Sequence, residues 1–387
     1  MMADLLRQDE ERGDLRVPVR RLMDRSWRAE GYTSPNPETY PWQWLWDSCF
    51  HAIVWASLDD ERGLTEIESL FSHQTNDGFV PHMGYQAAPE VARNLWGRPG
   101  ASTITQPPMY AHALRVLAER GLTPGDELVE RAGAGLEFLW RERMRAEGLL
   151  VIVHPWESGC DDSPRWASWA PDPFDKATWD ATKRRLLGSL LVDGEGSAVA
   201  NPGFEVASVV FNALCAFNAR EYARLTADSA WRRRGDELAA AIGARWDGQR
   251  GTFLDGDHPS ASAPTLDALV GILAVDDREH PAWTLIADED RFAAIYGLRG
   301  VDPADPSYDP DAYWRGPTWP QLDYLIWLAA ARVGRSTEAA TIATRTIRGA
   351  ITSGFAEYWN PDTGAGHGAI PQAWSGLVLP MSEGVGP

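Results

Sequence analysis

Apolar residues recur at three- and four-residue spacing along most of the chain, and this periodicity constrains the fold more than any other feature. It predicts helices over residues 47–59, 108–120, 126–145, 205–225, 229–246, 266–275, 320–333 and 337–351. Asp47, Thr123 with Pro124, Asp228 and Ser336 stand where capping residues are expected. Strand patterns are limited to residues 149–153 and to short pieces near 252–254.

Weaker candidates raise the number of helices to about a dozen, in sequential pairs joined alternately by short links and by long segments rich in Pro, Gly and Trp. This arrangement predicts an all-α fold, an (α/α)6 barrel with its loops gathered at one end. We expect a single domain over residues 1–387, with a loop-rich insertion at about 150–203. No internal sequence repeat supports the barrel independently.

The 19 tryptophans divide into two sets. One set lies on helical patterns and is expected to pack: Trp27, Trp55, Trp140, Trp231, Trp246 and Trp327. Trp283 fits neither set, and the other twelve lie in or beside loops: Trp42, Trp44, Trp46, Trp96, Trp156, Trp166, Trp169, Trp179, Trp314, Trp319, Trp359 and Trp374. Loop tryptophans among carboxylates, amides and Arg are typical of a sugar site, although any single one could instead plug a loop.

Four segments combine aromatic residues with groups that can do chemistry. They are YPWQWLWDSCFHA (residues 40–52), PWESGCDDSPRW (155–166), YWRGPTWPQLD (313–323) and FAEYWNPDTGAGHGAIPQAW (355–374). Cleaving a glycosidic bond needs one protonated carboxyl and one ionised carboxylate. Asp161 and Glu357 are the candidates, but spacing alone does not separate Asp161 from Glu157 or Asp162. Asp47 fits either a helix cap or a ligand for a sugar hydroxyl.

These segments resemble glycoside hydrolase family 63, a family of inverting α-glycosidases. WESGCDDSPRW resembles its W-E-S-G-M-D-N-S-P-R-W signature, YWRGPTW its Y-W-R-G-P-x-W stretch, and EYWNPDTGAG its E-x-Y-N-P-x-T-G-x-G segment. YPWQWLWDSCFHAI and TITQPPMYAHA resemble its W-x-W-D and T-Q-P-P segments. The matches keep the same order over roughly residues 40 to 380. They look most like the small bacterial branch with mannosylglycerate and glucosylglycerate hydrolases, whose fold is the (α/α)6 barrel.

The resemblance implies roles for individual residues. Asp161 matches the general acid and Glu357 the general base. The substrate-binding candidates are Tyr40, Gln43, Trp44, Trp46, Asp47, His82, Tyr313, Trp314, Trp319, Gln372 and Trp374, with hydrogen bonding inside a loop as the alternative for His82.

The chain departs from the family pattern at four places, one of which is Ser208 in place of an expected Asp. Cys160 replaces the usual Met, and Asp162 replaces the usual Asn. An extra carboxylate beside Asp161 could raise the pKa of Asp161 or simply face solvent. The stretch 176–202 is short compared with the glycerate-cleaving members, which puts glycerate specificity in doubt; Arg184 and Arg185 could serve a carboxylate or lie on the surface.

Charge and composition exclude other classes. A formal charge of −19 argues against nucleic-acid binding. Cys49, Cys160 and Cys215 lack CxxC spacing, so we predict no disulfide framework, no zinc site and a cytoplasmic location. No metal-ligand spacing, membrane-spanning run or signal-peptide pattern is present, so we predict no cofactor and no membrane partner.

The expected partner is a small α-glycoside, and a homo-oligomer through the exposed helical ring is left open. The alternatives are a sugar epimerase, which needs paired basic residues, and a sugar-binding protein that has lost a carboxylate.

Overall fold

The computed structural model describes residues 14–145, 147–256 and 263–384, and within them helices dominate. The helices are α1 (Arg16–Ser26), α2 (Leu45–Ser57), α3 (Arg62–Phe71), α4 (Pro89–Trp96), α5 (Tyr110–Glu119), α6 (Asp126–Glu142), α7 (Lys176–Leu187), α8 (Val209–Thr226), α9 (Ser229–Gly243), α10 (Leu266–Leu269), α11 (Gly271–Val275), α12 (Ala282–Ala287), α13 (Pro320–Arg332), α14 (Ser336–Ser353) and α15 (Val378–Glu383). Short 3-10 helices cover Pro155–Ser158, Pro164–Trp166 and Ala373–Leu377.

All eight predicted helical regions are helical, with shifted ends and with residues 266–275 divided between α10 and α11. Helices α1, α3, α4, α7, α12 and α15 were not singled out from the periodicity. Asp228 caps α9 by accepting from the Ala230 N–H, as predicted. The other predicted caps are displaced, because α6 begins after Gly125, and Ser336 is already the first residue of α14.

The strands are minor and form five separate antiparallel pairs. They are β1 (Gln43–Trp44) with β2 (Met83–Gly84), β3 (Leu191–Val192) with β4 (Ala198–Ala200), β5 (Trp246–Asp247) with β6 (Thr252–Phe253), β7 (Ala293–Ala294) with β8 (Gly297–Leu298), and β9 (Tyr358–Trp359) with β10 (Gly366–His367). The strand predicted at 149–153 is wrong, since only isolated bridges from Leu150 and Ile152 occur there. Trp246, expected on a helix, lies in β5.

The helices pack as an inner and an outer set. The inner elements contact one another in sequence: α2 with α5, α5 with α8, α8 with α11, α11 with α13, α13 with the 3-10 helix Ala373–Leu377, and that helix with α2. Every residue of α2 is buried. An inner helix touches neighbours on all sides, so it needs apolar residues around its circumference.

The outer helices bury one face only. Helix α3 packs on α2, α9 on α8 and α14 on α13, and each turns polar residues outward. This division explains why the outer helices are amphipathic, whereas the inner helices are buried on nearly all sides.

The region expected to be a loop-rich insertion, about 150–203, holds more regular structure than predicted. It contains two 3-10 helices, α7 and the β3–β4 pair. The three cysteines are buried and unpaired. Across the part of the chain that the structure describes, no helix has the length and apolar character needed to cross a bilayer. Residues 1–13, which form most of the N-terminal stretch without a signal-peptide pattern, lie outside the described residues.

Candidate active site

A cavity of about 360 Å³ lies where several inner elements begin. Tyr40 and Trp44 precede α2, Gln106 precedes α5, Trp314 precedes α13, and Gln372 precedes the 3-10 helix Ala373–Leu377. Eleven of the thirteen predicted site residues line this cavity: Tyr40, Trp44, Trp46, Asp47, His82, Asp161, Tyr313, Trp314, Glu357, Gln372 and Trp374. Segments that are distant in sequence thus meet at one wall.

The cavity also has lining residues that were not predicted as site residues: Pro35, Met83, Tyr85, Leu95, Trp96, Gln106, Trp156 and Gly159. For several of these residues, the sequence contains a feature that could have marked them as site residues. Trp96 and Trp156 belong to the loop tryptophan set, Tyr85 follows His82 by three residues, and Gln106 lies in the TITQPPMYAHA segment. Leu95 stands on the exposed side of an amphipathic helix, where no pattern marks it as a cavity residue.

Gln43 and Trp319 do not line the cavity, contrary to prediction. The Gln43 amide donates to Ser48 Oγ at 2.9 Å and accepts from Ser69 Oγ, so its side chain points away into the core. Trp319 lies behind Trp314, with ring centroids 3.7 Å apart and planes within 5°. Trp319 therefore supports a cavity residue instead of facing a ligand.

Half of the twelve loop tryptophans line the cavity: Trp44, Trp46, Trp96, Trp156, Trp314 and Trp374. The other six pack elsewhere, and two of them hold the turn that contains Asp161. The Trp166 indole donates to the carbonyl of Cys160 at 2.7 Å, and the Trp179 indole donates to the carbonyl of Asp161 at 3.0 Å. The excess of tryptophan thus serves both as cavity wall and as backbone support.

The structure separates the three acidic residues of the segment 155–166. Glu157 is fully buried, forms a bidentate pair with Arg143 at 2.8 Å and accepts from the Val153 N–H at 2.7 Å. The Asp162 side chain is also fully buried, whereas the Asp161 side chain is 17% exposed and lines the cavity. Among these three, Asp161 alone can meet a ligand there.

Gly159 brings the Asp161 turn against the aromatic wall. Its φ is +75°, and a Cβ at this position would lie 2.5 Å from Cη2 of Trp46. A larger residue would push the turn away from the Trp46 ring, so the glycine of the 155–166 segment is needed for this close approach.

Two lysines of α7 lie behind Asp161. Lys183 Nζ donates to Asp161 Oδ2 at 2.7 Å and also binds Asp162, while Lys176 Nζ donates to Asp162 Oδ2 at 2.9 Å. Burial raises the pKa of Asp161, but the charge and hydrogen bond of Lys183, together with the Lys176 charge, outweigh burial and leave that pKa below its ordinary value. Burial and the Asp161 charge raise the pKa of Asp162 to about 6. The extra carboxylate therefore neither faces solvent nor leaves Asp161 with a raised pKa.

Glu357 lies on the opposite segment, directly before β9. Its Oε2 accepts from the Ala369 N–H at 2.9 Å, and its Oε1 accepts from the Tyr40 hydroxyl at 3.4 Å. Burial raises its pKa to about 7 despite these bonds. A carboxyl with this pKa can act as a proton acceptor near neutral pH.

Asp47 is not a helix cap. Helix α2 begins at Leu45, because β1 pairs with β2 and the Leu45 N–H donates to the His82 carbonyl, so Asp47 falls within the first turn. Its carboxyl lines the cavity, and burial followed by the Glu357 charge raises its pKa well above the ordinary value.

His82 also reaches the cavity, and its Nδ1 bonds to Ser102 Oγ at 2.8 Å. Burial lowers its pKa to about 3, so the imidazole is neutral at physiological pH. Arg184 and Arg185 are exposed on α7 and do not line the cavity. Among the described residues, no group of three or more His, Cys, Asp or Glu side chains could hold a metal ion.

The chain is similar to known proteins over most of its length. The family described as mannosylglycerate hydrolase MGH1-like glycoside hydrolase domain matches residues 40–375. A mannosylglycerate hydrolase of Rubrobacter radiotolerans is 29% identical over 97% of this chain and 98% of its own length. A glucosylglycerate hydrolase of Mycolicibacterium hassiacum is 29% identical over 90% of this chain and 93% of its own.

The fold has a close counterpart among solved structures. The GH63 mannosylglycerate hydrolase of Thermus thermophilus, in complex with Tris and D-glycerate, has a TM-score of 0.80 at 28% identity. The match covers 95% of this chain and 99% of that one. Similarity in sequence and in structure thus extends over nearly the whole chain.

Proposed function

Because the chain belongs to the mannosylglycerate hydrolase MGH1-like family of glycoside hydrolases, we propose that it cleaves a small α-glucoside or α-mannoside with inversion at the anomeric carbon. In this proposal Asp161 is the general acid and Glu357 the general base. One observation carries it: these two carboxyl groups, almost 200 residues apart in sequence, line the same tryptophan-walled cavity.

The proposed reaction needs one proton on Asp161 and none on Glu357. Asp161 would protonate the glycosidic oxygen while Glu357 takes a proton from a water molecule that attacks the anomeric carbon from the other face. Room for that water requires the two carboxyl groups to lie about 6.5–9.5 Å apart. The raised pKa of Glu357 and the lowered pKa of Asp161 make this protonation state the minor one in the free enzyme.

The size and lining of the cavity favour a small glycoside. Rings such as Trp44, Trp46 and Trp374 offer apolar faces to the C–H face of a pyranose, while Asp47 and Gln372 offer partners for its hydroxyls. The glycerate conjugates named for the relatives are the first candidates. A short disaccharide is the second, because Arg184 and Arg185, the two arginines that could have served a carboxylate, lie outside the cavity.

The packing order of the inner elements supports an (α/α)6 barrel. Six inner elements contact each other in a cycle, and α1, α3, α9 and α14 pack outside them. In such a barrel the loops before the inner helices gather at one end, which is where the candidate site lies.

In the described part of the chain, the competing epimerase function lacks a second histidine in the cavity to act as the paired base. Removing and returning a proton at a sugar carbon needs two basic groups, and within the described residues His82 is the single histidine that lines the cavity.

The test is a panel of α-glucosides and α-mannosides that includes mannosylglycerate, glucosylglycerate and short disaccharides. Product anomers are followed by proton NMR in the first minutes, before mutarotation. We expect hydrolysis of at least one glycerate conjugate or disaccharide with a β-configured sugar as the first product. An α-configured first product would refute inversion, and hydrolysis of none of them would refute the substrate class.

A further inference from the structure

Lys183 is almost completely buried and is surrounded by carboxylates. Its side chain is 2% exposed, and its Nζ lies 2.7 Å from Asp161 Oδ2 and 3.0 Å from Asp180 Oδ1, in addition to its bond with Asp162. Lys183 does not line the cavity. It can therefore influence the reaction only through the residues that it holds.

The ion-pair cluster around Lys183 can hold one proton on its three carboxyl groups without net charge. Lys176 and Lys183 carry two positive charges, whereas Asp161, Asp162 and Asp180 carry up to three negative charges. The cluster is neutral when one carboxyl is protonated. A buried ammonium without a counter-charge is costly, so the proton can reside on Asp161 only if Asp162 stays ionised beside Lys183.

The resemblance to family 63 predicts Asn at position 162. With Asn there, protonating Asp161 would leave Lys183 paired only with Asp180, whose side chain is 37% exposed and is shared with Lys176. Asp161 would then be needed as the counter-ion of Lys183, and it would resist taking up a proton. Asp162 removes that conflict.

Other titratable groups also face Asp161. Asp162 and Cys160 lie on its own turn and Lys176 and Lys183 on α7, whereas His82, His154, Tyr40, Tyr313 and Glu357 lie on the surrounding segments. Burial lowers the pKa of His82 to about 3 and that of His154 to about 4, so both are neutral near pH 7. The cations that act on Asp161 and Asp162 are thus the two lysines, together with Arg315, whose charge interacts with that of Asp162.

Resting on the proposed function, we propose that Lys183 and Asp162 are positioning residues for Asp161. Lys183 holds the carboxyl group of Asp161 at the cavity wall, and Asp162 neutralises Lys183 while Asp161 carries the proton that it donates. When that proton passes to the glycosidic oxygen, Asp161 becomes a carboxylate and pairs with Lys183 again. The hydroxyl of the leaving group keeps the proton, and Glu357 gains one from water, so the protons balance.

The test compares two substrates with the same sugar: the fastest glycoside of the panel and the corresponding α-glycosyl fluoride. Fluoride leaves with little help from a general acid, so its release does not depend on the proton of Asp161. We expect Asp162→Asn to lower kcat/KM for the glycoside about tenfold at pH 7, the effect of one pKa unit. The variant should hydrolyse the α-glycosyl fluoride with the same kcat/KM as the unmodified enzyme. In the pH profile of kcat/KM for the glycoside, the acidic limb should move to lower pH.

A second substitution should reverse this loss. In Asp162→Asn/Lys183→Met neither the carboxylate nor the ammonium remains, so Asp161 is no longer needed as a counter-ion, and glycoside hydrolysis should recover. A purely structural role of Asp162 would give equal losses on both substrates and no recovery. Three outcomes would overturn the inference. Asp162→Asn lowers kcat/KM equally for both substrates, it lowers kcat/KM for neither, or Lys183→Met fails to restore the glycoside hydrolysis that Asp162→Asn lost.

Two controls separate this inference from the proposed function. Arg184→Met removes a cation from the exposed side of the same helix and should leave kcat/KM for both substrates unchanged. Asp161→Asn should slow the glycoside far more than the fluoride. If it does not, the role of Asp161 itself fails, and the inference falls with it. If Asp161→Asn behaves as expected and Asp162→Asn does not, only the inference fails.

Discussion

Gly368 leaves the space that the carboxylate of Glu357 occupies. The φ of Gly368 is +68°, and a Cβ on this residue would lie 2.3 Å from Oε2 of Glu357. The same loop supplies the Ala369 N–H that binds Oε2. The glycine-rich segment after β9 therefore determines where the proposed base lies.

Gly368→Ala should displace Glu357 and lower kcat at least tenfold, since small displacements of a catalytic group are costly. The left-handed backbone should also cost about 1–2 kcal/mol of unfolding free energy. Gly121→Ala is the matched control, because Gly121 has φ +80° and open space around it. It should show the stability loss, measured by urea unfolding, with normal kcat. Equal kcat in the two variants would contradict this account of Gly368.

Asp161→Asn and Glu357→Gln should each lower kcat/KM for unactivated glycosides by about 10²–10⁴-fold, as expected when a general acid or base is removed. Circular dichroism and the urea midpoint should show that both variants fold. A variant that keeps most of its activity would disprove the role of that residue. The two should differ on α-glycosyl fluoride, because Glu357→Gln removes water activation for every substrate.

The profile of kcat/KM against pH should be a bell whose basic limb lies near pH 7, where Glu357 titrates, and whose acidic limb lies at the lowered pKa of Asp161. Below the acidic limb both carboxyl groups hold protons, so Glu357 cannot accept one. Above about 7 both are ionised, and Asp161 cannot donate. The two values belong to the coupled groups and not to single residues. A flat profile between pH 5 and 8 would contradict the prediction.

Tyr40→Phe should move the limb that reports Glu357 to higher pH. The Tyr40 hydroxyl donates to Glu357 at 3.4 Å and favours the ionised carboxylate, so its loss should raise the pKa of Glu357 by about half a unit. Tyr85→Phe is the matched control, since Tyr85 also lines the cavity but its hydroxyl meets Trp96. The same pH titration of kcat/KM in both variants checks the difference.

Arg143→Met should lower the unfolding free energy by about 3–5 kcal/mol, because it leaves the buried Glu157 carboxylate without its counter-charge. Arg93→Met breaks the exposed pair with Glu90 and should leave the urea midpoint almost unchanged, because solvent screens this pair. Similar urea midpoints for the two variants would show that Glu157 does not depend on Arg143.

The sequence predicted which segments form the site more reliably than which of their side chains face the cavity. Trp44, Asp161 and Glu357 lie in segments whose composition indicates a pocket, and they meet there. Gln43 and Trp319 also lie in segments of this kind, but their side chains do not face the cavity, because side-chain direction depends on where β1 and α13 begin. A motif shows that a segment is special, but it does not show which side chains face the cavity.

Lys183 could not be recognised from the sequence. Lys176, Asp180 and Lys183 share one face of α7, and that spacing is usual for a solvated helix surface. What makes Lys183 important is contact with a turn some twenty residues earlier in the chain, which depends on tertiary packing. His154 contributes to that packing, since its Nε2 bonds to the Lys183 carbonyl at 2.9 Å.

The cavity is assembled from segments that run from residue 35 to residue 374, and these segments stand before inner elements that contact one another in a cycle. Separating any neighbouring pair of inner elements would pull the wall apart and change the spacing between Asp161 and Glu357. Heat inactivation should therefore coincide with loss of the whole tertiary structure. Catalytic activity would then report directly whether the inner elements still contact one another in their closed cycle.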